Sequence, residues 1–103
     1  MKEEIELFVA VCRLELELAM ASSLKEKRAV VQSAVSRVKA RFPVAIAEVS
    51  DLGSLRTAVL GLAAVSNDGG HAQQVLEGVV RFIEGLRLDA EVGAVDYDTL
   101  VAL

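Results

Sequence analysis

The chain has no tryptophan, one proline, one cysteine and one histidine, and only 4% of its 103 residues are aromatic. A lone Cys12 excludes an internal disulfide, and Met1-Lys2-Glu3-Glu4 has neither the basic region nor the cleavage site of an export signal, so the sequence predicts a chain of the reducing cytoplasm. The longest uncharged apolar run, Ala58 to Val65, falls far short of the roughly 20 residues that cross a bilayer, and no membrane partner is expected. Few aromatics also leave few stacking platforms. Phe8, Phe42 and Phe82 fall at packing positions and Tyr97 stands alone, which argues against single-stranded RNA read on an aromatic sheet face.

Catalytic signals are equally scarce. Cys12 sits on the packing parity of a strand with no histidine to activate it, so an inert buried thiol is expected. His71 is expected at the surface in the first turn of a helix. Asp51, Asp68, Asp96 and Asp98 lack the spacing of a metal loop, and Gly69-Gly70 reads as a flexible loop rather than a phosphate cradle. The expectation is a protein that is not an enzyme, with no cofactor and no metal.

What is present is apolar residue: 53% of the chain, mostly Val, Leu and Ala, enough for one core in one domain over residues 1–103. A mean hydropathy of +0.45 exceeds what a small core accounts for, so a homo-oligomer, most simply a dimer, is expected to bury the remainder. Charge is unevenly spread. Residues 25–41 hold Lys25, Lys27, Arg28, Arg37, Lys39 and Arg41 against Glu26 alone, a local +5 in a chain of net −4, so everything else carries −9.

Ser23-Leu24-Lys25-Glu26-Lys27-Arg28 reads as a helix start: Ser23 caps the first turn and Glu26 reaches back to the N–H of the cap. Cations in those first turns work against the helix dipole, a placement that an anion such as a phosphate would explain. The helix runs from Leu24 to about Arg41, stopped by Pro43, with Leu24, Val31, Ala34, Val35, Val38 and Phe42 on one arc. Lys27 falls inside that arc and Arg28 on its border, so both must snorkel or find a carboxylate.

Period-2 patterning predicts strands over residues 5–18, 44–50, 56–66 and 91–98, with a turn at Asp51-Leu52-Gly53-Ser54 and a tail from Thr99 that extends the last strand or folds over an edge. A second helix follows Asn67-Asp68-Gly69-Gly70 and reaches about Leu86. The β-α-β-β-α-β order, with right-handed crossovers, predicts an α+β ferredoxin-like plait: sheet order 4-1-3-2 and both helices on one face. Val9, Val11, Val59, Gly61, Ala63 and Val65 then form an apolar patch on the other face, the candidate oligomer interface.

Arg13-Leu14-Glu15-Leu16, the Ser23–Arg28 run, Arg41-Phe42 leading to Ala47-Glu48-Val49, Leu60-Gly61 and Val65-Ser66-Asn67-Asp68 together resemble the YlxP-like family of small bacterial proteins of undefined function. The resemblance covers nearly the whole chain and implies a ferredoxin-like fold. Genes of that family often lie beside those for translation initiation and ribosome maturation, so it also implies a role around the ribosome. The turn before the third strand departs from the family's acid, aromatic and arginine pattern. Those places read Gly53, Leu55 and Thr57, with Arg56 one position early.

Two readings follow. In the first, a nonenzymatic module binds ribosomal RNA or a translation factor through Ser23, Lys25, Lys27, Arg28, Arg37, Lys39 and Arg41. In the second, the plait binds a small molecule or merely oligomerises. Against both stands an ordinary solvated helix face, its cations paired with Glu15, Glu17 or Glu48.

Overall fold

Strand β1 (Phe8–Glu17) alternates strictly: Ala10, Cys12, Leu14 and Leu16 are buried, while Val9, Val11, Arg13, Glu15 and Glu17 face the other way. In the computed structural model, which describes residues 5–50 and 54–103, this strand lies inside the sheet. It pairs antiparallel with β3 (Thr57–Ser66) on one side and β4 (Glu91–Val101) on the other. Strand β2 (Ala45–Ser50) adds to the outer edge of β3, giving the order β2-β3-β1-β4, which is the expected 4-1-3-2 read from the opposite edge. With helices α1 (Leu24–Arg41) and α2 (Gly69–Gly85) between the strands, this is a ferredoxin-like plait.

Both helices pack on the Ala10–Leu16 face, meeting Ala58, Leu60, Leu62 and Ala64 of β3 and Ile46 of β2 in one apolar core. Each helix starts on a side-chain cap. Ser23 is extended (φ −150°, ψ 158°) and its Oγ accepts from the N–H of Glu26 at 3.1 Å. Asp68 Oδ1 accepts from the N–H groups of Gly70 at 2.9 Å and His71 at 3.2 Å. Before Pro43, Phe42 leaves the helical region (φ −128°, ψ 144°) because the proline ring crowds a helical predecessor.

Three local findings refine the expected elements. The Glu26 carboxylate accepts from the N–H of Ser22 at 2.8 Å and from its hydroxyl, so the return arm of the capping box lands one residue earlier than the cap. Gly69 and Gly70 are the first turn of α2 and not a loop. A Cβ on Gly69 would stand 3.0 Å from the Phe8 ring and 3.1 Å from Thr99, so glycine lets this helix end close onto β1 and β4. Finally, β4 continues past Asp98 to Val101, and Leu7 and Leu103 carry the pairing further through a 3.0 Å hydrogen bond. The turn segment Asp51–Gly53 lies outside the described residues, as do residues 1–4.

An irregularity between Leu14 and Leu16 shifts the β1–β4 register, which is why Val92 and Val95, three apart, both pack on the core. A second shift, between Glu48 and Ser50, interrupts β2 against β3. Val49 sits within it and leans over Gly61, where a Cβ would come within 2.8 Å of its Cγ1.

Candidate functional site

The first turn of α1 is tied down from two directions. Ser22, Ser23 and Glu26 close the cap at the surface, while Lys27, one residue on, turns inward and is only 1% exposed. Its Nζ donates to the carbonyl of Ser54 at 2.7 Å and lies 3.2 Å from Glu48 Oε2. That oxygen has no aligned hydrogen bond, so the Lys27–Glu48 contact is an ion pair held by proximity. Lys27 therefore leaves the candidate binding set: it fastens α1 to β2 and to the segment that leads into β3. Both partners sit at packing positions, Lys27 in the apolar arc and Glu48 on the parity of Ile46, and that coincidence was the sequence signal for the pair.

The other cations stay outside. Lys25, Arg28, Arg37, Lys39 and Arg41 are all exposed. Arg41 lies 5.0 Å from the centroid of the Phe82 ring, and Phe82 meets Phe42 edge-on at 5.4 Å, so the Arg41 flank of α1 is the one turned toward α2. At 100° per residue, Arg37 falls on that side, whereas Lys25, Arg28 and Lys39 share the opposite flank, beyond which β2 is the free edge of the sheet. None of these three, nor Arg37, has a carboxylate partner among the described residues. Glu15 and Glu17 cannot serve: their carboxylates lie beside Gly93 on the sheet face that the helices leave bare. Ser23, the remaining candidate, is engaged in its cap.

On the bare face, the pairs Val9–Val65 and Val11–Ala63 bring four of the six candidate interface residues together, joined by Val59 and Gly61. Val65 is 68% exposed and the other five are half-buried. A shallow trough of about 350 Å³ runs over Val11, Ala45, Ala47, Gly61 and Ala63. Arg13 and Asp96 form an exposed 3.2 Å ion pair on the β1–β4 side.

The sequence's chemical candidates stand apart. Cys12 is buried, with its thiol pushed up to about 11 by burial and by Asp96. His71 is exposed at the start of α2. Among the described residues, no three His, Cys, Asp or Glu side chains are placed to share a metal ion, and no helix is long and apolar enough to cross a membrane.

A family model described as "Protein of unknown function (DUF503)" matches residues 9–97. The chain belongs to the DUF503 family. It is 38% identical over 64 residues to "Uncharacterized protein YlxP" of Bacillus subtilis (strain 168), a match covering 62% of this chain and 70% of that one. Among solved structures, "De novo designed protein Foldit4" aligns over 95% of this chain and all of its own with a TM-score of 0.53, and at 16% identity it shares the fold alone. A C-terminal segment of the alpha subunit of aIF2 from Pyrococcus abyssi aligns over 97% of this chain and 53% of its own, at a TM-score of 0.47 and 16% identity. The chain thus spans about half of that segment. In this DUF503 chain the YlxP-like motifs map to the central strand β1, the capped start of α1, the Glu48 partner of Lys27 and the β3–α2 junction. Most of what carries the resemblance is therefore framework. Of the departing turn, Gly53 lies outside the described residues, while Thr57 begins β3 and shares a 3.0 Å hydroxyl contact with Ser54.

Proposed function

We propose that this chain is a nonenzymatic, cytoplasmic binding module that docks on ribosomal RNA through the outer flank of α1. The observation that carries the reading is the row of Lys25, Arg28 and Lys39, exposed, on one flank and without carboxylate partners among the described residues. Cations near a helix N-terminus cost a few tenths of a kcal/mol each unless an anion offsets them, and an RNA phosphate does so. Without stacking aromatics on the bare sheet face, such contact follows backbone charge and shape and not base identity. The family resemblance, with its setting among translation genes, supports the ribosome as the source of that RNA.

Three phosphate contacts give a logarithmic salt dependence with a slope of about −2 to −3. The test is co-sedimentation of the tagged protein with ribosomal subunits across a salt series, beside the triple variant Lys25→Glu/Arg28→Glu/Lys39→Glu. A salt-sensitive peak on one subunit that the variant loses is the expected result. No association at low salt, or equal association of the variant, overturns the reading. The second reading, a small-molecule-binding or oligomerising module, is favoured by the apolar trough on the bare sheet face.

A further inference from the structure

The uncovered sheet face combines a ridge and a trough. Val65, Val9 and Leu100 lie side by side across β3, β1 and β4 and make the ridge. One step along the strands, the small residues Ala45, Ala63, Ala47 and Gly61 floor a trough across β2 and β3, bounded by Val11 on β1 and by Val49, which leans over Gly61. Val65 is 68% exposed, Leu100 50% and Val49, which bounds the trough, 57%. Apolar side chains in that number, in one contiguous patch, mark a surface that is covered in use.

We infer that a second copy of this chain covers it, the two copies related by a two-fold axis lying between ridge and trough and crossing the strands. In that arrangement Val65 of each copy stands over Ala63 in the other's trough and Val9 over Val11, which is the self-complementarity a two-fold interface requires. Asp98, the β4 neighbour of Val11 on this face, is exposed on an edge strand and so falls at the rim of the contact. Glu15 and Glu17 lie farther along β1 on the same face, so a full overlap with the axis along the strands would set them against their own copies. The offset pairing leaves them outside the contact, in water. The Arg13–Asp96 ion pair stays at the rim, already neutralised within its own chain.

Four strands about 4.8 Å apart, over some five residues of 3.4 Å rise, give a patch of about 19 by 17 Å. Counting side-chain relief over both copies, roughly 1,000 Å² is hidden, at the low end for a specific interface, so the pairing is concentration-dependent. It uses no residue of the basic flank, which faces outward on both copies.

Sedimentation equilibrium from 1 µM to 1 mM protein tests the inference. The wild-type mass is expected to rise from 11.0 kDa toward twice that value. Val65→Glu, at a site open to water in a single copy, is expected to weaken pairing at least 100-fold with an unchanged circular dichroism spectrum and melting temperature at 1 µM. Ala47→Glu, placed in the trough, is expected to do the same. The Lys25→Glu/Arg28→Glu/Lys39→Glu variant pairs like the wild type, so loss of RNA binding and loss of pairing are read separately. A wild-type monomer at 1 mM, which would assign the face to a different occupant, overturns the inference. Pairing unaffected by both Val65→Glu and Ala47→Glu does so as well.

Discussion

The two helices cover the same face of one sheet and differ in what they bury. Helix α2 inserts Ala72, Leu76, Val79, Val80 and Ile83, all apolar and several of them large. Helix α1 inserts Lys27, Val31, Ala34 and Val38, smaller residues and one ion pair, and keeps five cations outside. Hydrophobic stabilisation scales with apolar area removed from water, so α2 contributes more of the cohesion while α1 is held by directional contacts at its first turn. A helix fixed by a cap and a buried ion pair can carry an unfavourable surface charge, because its position does not depend on that surface.

The comparison is broken most severely on the α2 side. Leu76→Ala removes a side chain with no solvent exposure and is expected to cost about 3 to 4 kcal/mol in urea unfolding. On the α1 side, Glu48→Leu takes the carboxylate from beside Lys27 and is expected to cost about 3 kcal/mol. The double variant Lys27→Met/Glu48→Leu is expected to recover to within about 1 kcal/mol of wild type, since a buried ion pair and an apolar pair of similar volume are often equivalent. A double variant as unstable as Glu48→Leu would show that the pair holds α1 in a way apolar packing cannot.

Smaller effects sharpen the contrast. Ser23→Ala is expected to cost about 1 kcal/mol through loss of the cap. The Glu26 carboxyl is held below its ordinary value first by the N–H and then by the hydroxyl of Ser22. A depressed folded-state value means that its contribution is present above the unfolded carboxyl's range and is lost as pH falls through the folded value. Thermal melts down an acid series are therefore expected to show a shallower acid limb in Glu26→Gln. Smallest is Lys25→Glu, which exchanges a cation for an anion in the first turn and is expected to stabilise the free protein by a few tenths of a kcal/mol while weakening the proposed RNA association. A variant that gains stability as it loses binding would separate the structural role of α1 from the proposed one most directly.

The plait was legible because its signals were periodic. Alternation in β1 and in Ala58–Ala64 assigned the faces, and the two capped arcs assigned the helices. The burial of Lys27 was open in the sequence, where the arc pointed inward and the charge outward. Only the third dimension brings Glu48 and the Ser54 carbonyl to it. The helical state of Gly69-Gly70 was missed because glycine pairs ordinarily mark loops, whereas here a close approach by Phe8 and Thr99 selects Gly69. The register shift between Leu14 and Leu16 left no mark in the residues, so strict alternation along β4 does not bring Val92 and Val95 to one face. Of the candidate site, the outer row on α1 was visible as spacing. Which flank faces α2 depended on Arg41 over Phe82.

The place of β1 in the sheet also bears on how the protein is made. Its two neighbours, β3 and β4, come later in the chain, and Phe8 pairs with Val101, ninety-three residues downstream. Synthesis proceeds at about 5 to 20 residues per second, so this strand waits several seconds for its second partner and stays on offer to chaperones meanwhile. Its long-range pairings also predict slow folding for a domain of this size. The sheet is completed only when β4 joins β1, so the plait forms as a unit after β4 has been made.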